Sequence, residues 1–150
     1  RDMQKRVREI PCIADLDEDG RPDLVVSENN GSAAVLRNRV AGDGHWFGVR
    51  LQGTAPRCNR DAIGAMVTLK SGELTLSRWR VSGDSYLSTC SDVLHWGLPG
   101  EGKVESLSVR WPDGSVEEFG PFAPDRVADV VQGRGKTAPQ PSVQPSAAPK

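Results

Sequence analysis

No apolar run in this 150-residue chain approaches the roughly 18 to 20 residues that cross a bilayer, so no membrane-spanning helix is expected. The first residues, RDMQKRVREIP, hold neither an initiator Met nor a signal-like apolar stretch, and the chain reads as a portion of something longer. Excess positive charge is missing too. With 19 Lys and Arg against 20 Asp and Glu, there is no clustered surplus to neutralise phosphates, which excludes a dedicated nucleic-acid binder. Arg1, Lys5, Arg6 and Arg8 are interspersed with Asp2 and Glu9 and read as a solvated basic end over 1–11. Only three cysteines occur, and none forms a C-x-x-C pair, which leaves no zinc site. In an oxidising compartment Cys58 and Cys90, both in loop-like sequence, are the candidate disulfide, with Cys12 to spare; free thiols are the alternative. A nucleotide-binding Gly-rich loop is absent, and Ser82, Ser85 and Ser88 lack the G-x-S-x-G elbow that would expose a nucleophile.

Helical periodicity is almost absent as well. What the chain has instead is a succession of short alternating segments separated by turn residues, the pattern of an all-β protein. Leu24–Ser27 and Ala33–Asn38 flank ENNGS, where Asn30 and Gly31 suit the positive φ angles of a hairpin turn. Phe47, Val49 and Leu51 alternate inward against Gly48, Arg50 and Gln52, and Ala65, Val67 and Leu69 repeat the pattern. In ELTLSRWRV the apolar phase shifts from Leu74 and Leu76 to Trp79 and Val81, so a bulge near Ser77 and Arg78 is expected. LHWGL is a further strand, and Leu107, Val109 and Trp111 share one face before PDG turns the chain into SVEEF. A last apolar run, Val127 to Val131, could close a sheet, and residues 134–150, rich in Pro, Ala and Ser, read as a disordered tail.

The densest charge lies in DLDEDGRPD, residues 15–23. Carboxylates at loop positions 1, 3, 5 and 9 with Gly at 6 can wrap a hard cation, and calcium suits irregular oxygen donors better than magnesium does. The expected ligands are the side chains of Asp15, Asp17, Asp19 and Asp23 and the backbone carbonyl of Arg21, with Glu18 pointing outward. An EF-hand is excluded because its position-12 Glu is Val26 here, and because Pro11 and the strand DLVVS stand where helices would be needed. Without an ion the segment is simply an acidic β-turn.

ADLDEDGRPDLVVSENNGSAAVLRN closely resembles an FG-GAP or VCBS repeat, the calcium-loop unit of integrin-like β-propellers. HWFGVRLQGT, CNRDAIGAMVTL, SGDSYLS, LHWGL and VRWPDGSVEEF resemble, in order, the ASPIC/UnbV domain that follows such repeats in the cartilage acidic protein-like family. The resemblance covers roughly residues 12 to 132; Trp96 and Pro99 stand where the family usually has Phe and Gly. It implies a calcium-binding hairpin at 12–40 of propeller-blade type, then a β-sandwich-like ASPIC/UnbV domain at 44–133. A single blade cannot close a ring, so a propeller is expected ahead of this portion.

The candidates for chemistry have plain structural readings beside them. Asn59, Arg60 and Asp61 match the family's N-R-D-x-I-G-A block and could face a ligand, but Asn and Asp there commonly brace a turn. His95 has no nucleophile placed beside it by the sequence, and His45 has less. Of Trp46, Trp79, Trp96 and Trp111, three fall in phase with core residues rather than forming a stacking platform. Asn30-Gly31-Ser32 is a formal glycosylation sequon that its turn role explains. No catalytic residue is assigned. The leading expectation is a secreted, periplasmic or cell-surface recognition or adhesion module with a structural calcium ion and an extracellular protein or glycan as its partner. One alternative is part of a cofactor-free biosynthetic enzyme whose site lies between a β-propeller and this domain, a reading that a pocket lined by His95, Asn59 and Asp61 together would favour; another is a filament or surface-assembly subunit using strand edges.

Overall fold

The computed structural model describes residues 8–28, 31–83, 85 and 89–138. The basic residues Arg1, Lys5 and Arg6, Asn30 of the turn and sequon, Ser88, and the tail from 139 onward lie outside the described residues. Among those described there are eleven strands and no helix, so the all-β expectation holds.

Three short strands, β1 (Arg8–Ala14), β2 (Asp23–Glu28) and β3 (Ala34–Leu36), form an antiparallel sheet in the order β1-β2-β3. The β2–β3 hairpin pairs Leu24 with Leu36 and Val26 with Ala34, as its alternation implies. The partner on the other side, β1, begins within the segment that reads as a solvated end: Pro11, Cys12 and Ile13 pair with Val26, Val25 and Leu24. Pro11 can sit in β1 because that strand is at a sheet edge, where a missing N–H costs least.

The rest of the chain builds a sandwich-like pair of sheets. One holds β4 (His45–Gln52), β7 (Val93–Leu98) and β10 (Arg126–Val131) in the order β10-β4-β7. The other holds β5 (Met66–Ser71), β6 (Leu74–Trp79), β8 (Ser106–Arg110), β9 (Val116–Phe119) and β11 (Lys136–Thr137) in the order β11-β9-β8-β5-β6. The alternating residues do what their period demands: Phe47, Val49 and Leu51 from β4 join Val67 and Leu69 from β5 and Leu107 and Val109 from β8 in one buried cluster. Trp96, Trp111, Ala128 and Val130 also belong to it. The run at 127–131 does close a sheet, but it pairs parallel to β4, with Val127 opposite Gly48 and Val130 opposite Leu51. After Trp111 the chain reverses at Gly114, whose φ of 85° is open to glycine, and Trp111 N–H donates to Ser115 O at 2.9 Å.

Two expectations are corrected. The bulge near Ser77 and Arg78 is not made: the β5–β6 ladder runs unbroken from Met66 opposite Trp79 to Ser71 opposite Leu74. Because the register does not slip, Trp79 stays on the outer face, 51% exposed, and Val81 is exposed as well. A bulge would interrupt ladder hydrogen bonds, whereas the Arg110 guanidinium, 5.1 Å from the Trp79 ring centroid, covers part of the indole without that cost. The tail also starts later than its composition implies, since Lys136 and Thr137 pair with Glu118 and Glu117. The cause is the buried carboxylate of Glu117, which accepts the N–H groups of Gly133 at 2.9 and 3.0 Å and of Gly135 at 2.8 Å. A buried charge needs such donors, and satisfying it orders the turn.

Phe47→Ala should therefore lower unfolding stability by about 3 to 5 kcal/mol, the usual cost of truncating a fully buried aromatic. Trp79→Ala should cost about 1 kcal/mol or less, the scale of an exposed cation–π contact. Urea denaturation midpoints compare the two.

Candidate metal site and its dock on the sandwich

The acidic loop joins β1 to β2 and is folded by its own carboxylates. Asp15 Oδ1 accepts the N–H of Asp19 at 3.1 Å and its Oδ2 that of Gly20 at 2.8 Å, so the first aspartate winds the chain around itself. Glu18 sits at φ 57° and is exposed, as expected of the residue that points away. Carboxylate oxygens of Asp15, Asp17 and Asp19 come within 4.8 Å of one another. Asp23 stands outside this group. It is 2% exposed, and its two oxygens accept Leu16 N–H at 3.2 Å and Asn38 N–H at 2.7 Å, which ties the loop to the segment after β3.

Arg21 lies beside the cluster with its N–H donating to Asp19 Oδ1 at 2.9 Å and its guanidinium paired with Asp19 Oδ2. Those contacts, the backbone one first, hold the Asp19 carboxyl below the usual carboxylate range. A residue that the sequence did not single out, Arg37, pairs its guanidinium with Asp17 Oδ2. Two guanidiniums thus face three carboxylates and leave the group net negative. The donors are hard anionic oxygens on a tight loop, and Asp17 is exposed, so the set suits calcium or magnesium by type.

The loop does not stand free of the sandwich. Gly20 is buried against Trp46: a Cβ placed on it would lie 2.1 Å from both Cδ1 and Nε1 of the indole, and its φ of 85° disfavours a side chain as well. Trp46 stacks on His95 with centroids 5.4 Å apart and planes 7° from parallel. The Trp46 backbone is held by a clamp. Asp125 N–H donates to Trp46 O at 2.8 Å, Asp125 Oδ1 accepts Trp46 N–H at 3.1 Å, and His45 Nδ1 lies 2.6 Å from Asp125 Oδ2. The His45 hydrogen bond keeps the Asp125 carboxyl low. Gly20, Trp46 and His95 line a cleft of about 1140 Å³ between hairpin and sandwich, and Arg78 and Trp79 line it too.

His95 answers to burial first, which pushes its imidazole below the ordinary histidine value; the Asp15 charge and a backbone hydrogen bond at Gly20 oppose that shift. Its Nε2 is buried without a hydrogen-bond partner among the described residues. Asn59 and Asp61 do not line the cleft in which His95 stands. Asn59 instead clamps its own turn, accepting Ile63 N–H at 2.8 Å and donating to Ile63 O at 2.9 Å, while Asp61 pairs with Arg60 at 3.0 Å. The three-residue pocket that an enzyme reading requires is not assembled. Of the tryptophans, Trp96 and Trp111 are core, Trp46 is the dock and Trp79 is exposed. The Cys58–Cys90 pairing is not formed: Cys58 is a buried free thiol in the sandwich core, whereas Cys90 lies against β1, its sulfur accepting Ile13 N–H at 3.4 Å.

The ASPIC and UnbV family model matches residues 53–137, more than half of the chain. The chain belongs to the ASPIC and UnbV family. It is 30% identical over 110 residues to cartilage acidic protein 1 of Xenopus tropicalis, covering 70% of this chain and 16% of that protein. Against cartilage acidic protein 1 of Homo sapiens it is 30% identical over 109 residues, covering 69% of this chain and 16% of that protein. This ASPIC and UnbV chain therefore spans about 16% of the length of the curated relatives it matches. The family match begins at Gly53, so Trp46, His45 and the acidic loop lie ahead of it.

Gly20→Ala should lower stability by about 1 to 3 kcal/mol, the cost of backbone strain joined to a steric clash. Gly97→Ala, with open space around the added methyl, serves as the control and should shift the urea midpoint little.

Proposed function

We propose that this ASPIC and UnbV chain is part of an extracellular recognition or adhesion module in which a calcium ion, bound at the acidic loop, acts structurally. The observation that carries the reading is the convergence of Asp15, Asp17 and Asp19 within 4.8 Å on a loop that is itself docked on the sandwich. Asp15, Asp17 and Asp19 would hold the ion, and Asp23 would close the loop from behind through Leu16 and Asn38. Calcium would cancel the residual negative charge there and tighten the turn that carries Gly20, since binding free energy adds to folding free energy. The hairpin is read as an FG-GAP or VCBS type of propeller blade. Two features support that: Val35 and Leu36 of the edge strand β3 are exposed, as a blade's flank is without its neighbour, and the relatives are far longer than this chain. The extracellular setting is supported by the likeness to cartilage acidic protein 1, and the partner would be an extracellular protein or a glycan.

Thermal melts with calcium and with chelator test the ion. At about a hundredfold excess over Kd, calcium should stabilise by roughly 2.7 kcal/mol, or about 5 to 10 °C in Tm for a chain of this size. Asp17→Ala should abolish that rise while leaving the chelated melt little changed, because Asp17 is exposed. Asp23→Ala should lower Tm with and without calcium, because its buried carboxylate ties two backbone N–H groups. A wild-type melt that is the same in calcium and in chelator overturns the reading.

A further inference from the structure

We propose that Cys12 and Cys90 form a disulfide that staples the hairpin sheet to the sandwich in the oxidised protein. The inference rests on the extracellular reading for its oxidising setting and on the packing of two segments for its partners. Ser85 and residues 89 to 91 lie along the outer edge of β1, the edge that β2 does not occupy. Ser85 Oγ donates to Pro11 O at 2.8 Å, and Ser91 N–H donates to Ile13 O at 3.3 Å. Between these two ties the cysteines oppose each other. Cys12 Sγ lies 3.6 Å from Thr89 O, the carbonyl that precedes Cys90, and Cys90 Sγ lies 3.4 Å from Ile13 N, the amide that follows Cys12.

Each sulfur therefore reaches the peptide group bonded to the other cysteine's Cα. A disulfide needs Cα atoms about 4.4 to 6.8 Å apart, and these two contacts set the cysteines on directly facing segments from which that bond could close. Both side chains are half-buried, which leaves them open to a reagent. The third thiol is placed to stay out of the reaction. Cys58 is walled into the core, and burial, aided by the Asp113 charge, pushes its thiol up, so that it stays protonated and is a poor nucleophile.

The oxidant is a disulfide, either a small molecule or the active-site disulfide of an oxidase. One cysteine thiolate attacks a sulfur of the oxidant, forming a mixed disulfide and expelling a thiolate. The other cysteine's thiolate then attacks the protein sulfur of that mixed disulfide, closing the Cys12–Cys90 bond and expelling the second thiolate. The two protein thiols lose two electrons and two protons, and the oxidant's disulfide is reduced to two thiols. The bond would pin β1 three residues ahead of Asp15, fastening the metal loop to the sandwich covalently as well as through Trp46.

The test equilibrates the full chain with mixtures of reduced and oxidised glutathione, traps thiols by alkylation in denaturant, and maps the digest by mass spectrometry. The expected product is a Cys12 peptide joined to a Cys90 peptide, two hydrogens lighter than the reduced pair, with Cys58 alkylated. Cys58→Ala should retain the link, and the oxidised chain should show a higher urea midpoint than the reduced one. A Cys58–Cys90 link, or three alkylated cysteines at the most oxidising ratio, overturns the proposal. Thiol-trapped protein taken from its natural source reads the setting separately. Alkylated Cys12 and Cys90 there overturn the extracellular reading, while a link present there supports both.

Discussion

The Trp46 indole occupies the space that any side chain on residue 20 would need, and the three-stranded sheet meets the sandwich through that contact. Three short strands bury too little apolar surface to stand alone, so a sheet of this size must borrow stability from a neighbour. Here that support comes at the acidic loop itself. The backbone of Gly20 lies against the indole, the indole stacks on His95, and Asp125 fixes the peptide group of Trp46 from the other side. The acidic loop, β4 and β7 thus share one packed contact at Gly20, Trp46 and His95.

That arrangement gives the acidic residues two separable tasks. Asp15 and Asp23 are spent largely on backbone N–H groups, four of them in all, and so shape the loop. Asp17 and Asp19 meet guanidiniums from Arg37 and Arg21, contacts that lie near the surface, are screened by water and can be exchanged for another cation at modest cost. The division explains how the loop can be ordered by its own hydrogen bonds while keeping a group of oxygens available to a hard ion.

Buried polar groups settle the rest of the framework in the same way. Glu117 collects the N–H groups of Gly133 and Gly135 and so extends order past the point where the composition turns to Pro, Ala and Ser. Gln132 joins Thr54 to Asp113 through bonds of 3.0 Å and locks the end of β10 to the loop after β4. These are long-range contacts whose partners carry no local signature, which is why a tail read from composition begins several residues too early.

Local pattern determined much of the fold. The period-two alternation of Phe47, Val49 and Leu51, of Val67 and Leu69, and of Leu107, Val109 and Trp111 decided which faces are buried, because a pleated strand can hide its apolar residues only on one side. The spacing of Asp15, Asp17 and Asp19 likewise put their carboxylates on one tight loop, where their oxygens lie within 4.8 Å of one another. Only the tertiary structure decided that Trp79 faces water, that Asp23 turns to the backbone, that β10 runs parallel to β4, and that Cys90 lies against the Ile13 amide of β1 while Cys58 is buried in the sandwich core. Each of these depends on which surface lies opposite a residue across the fold, and no spacing along the chain encodes a neighbour some 77 residues away.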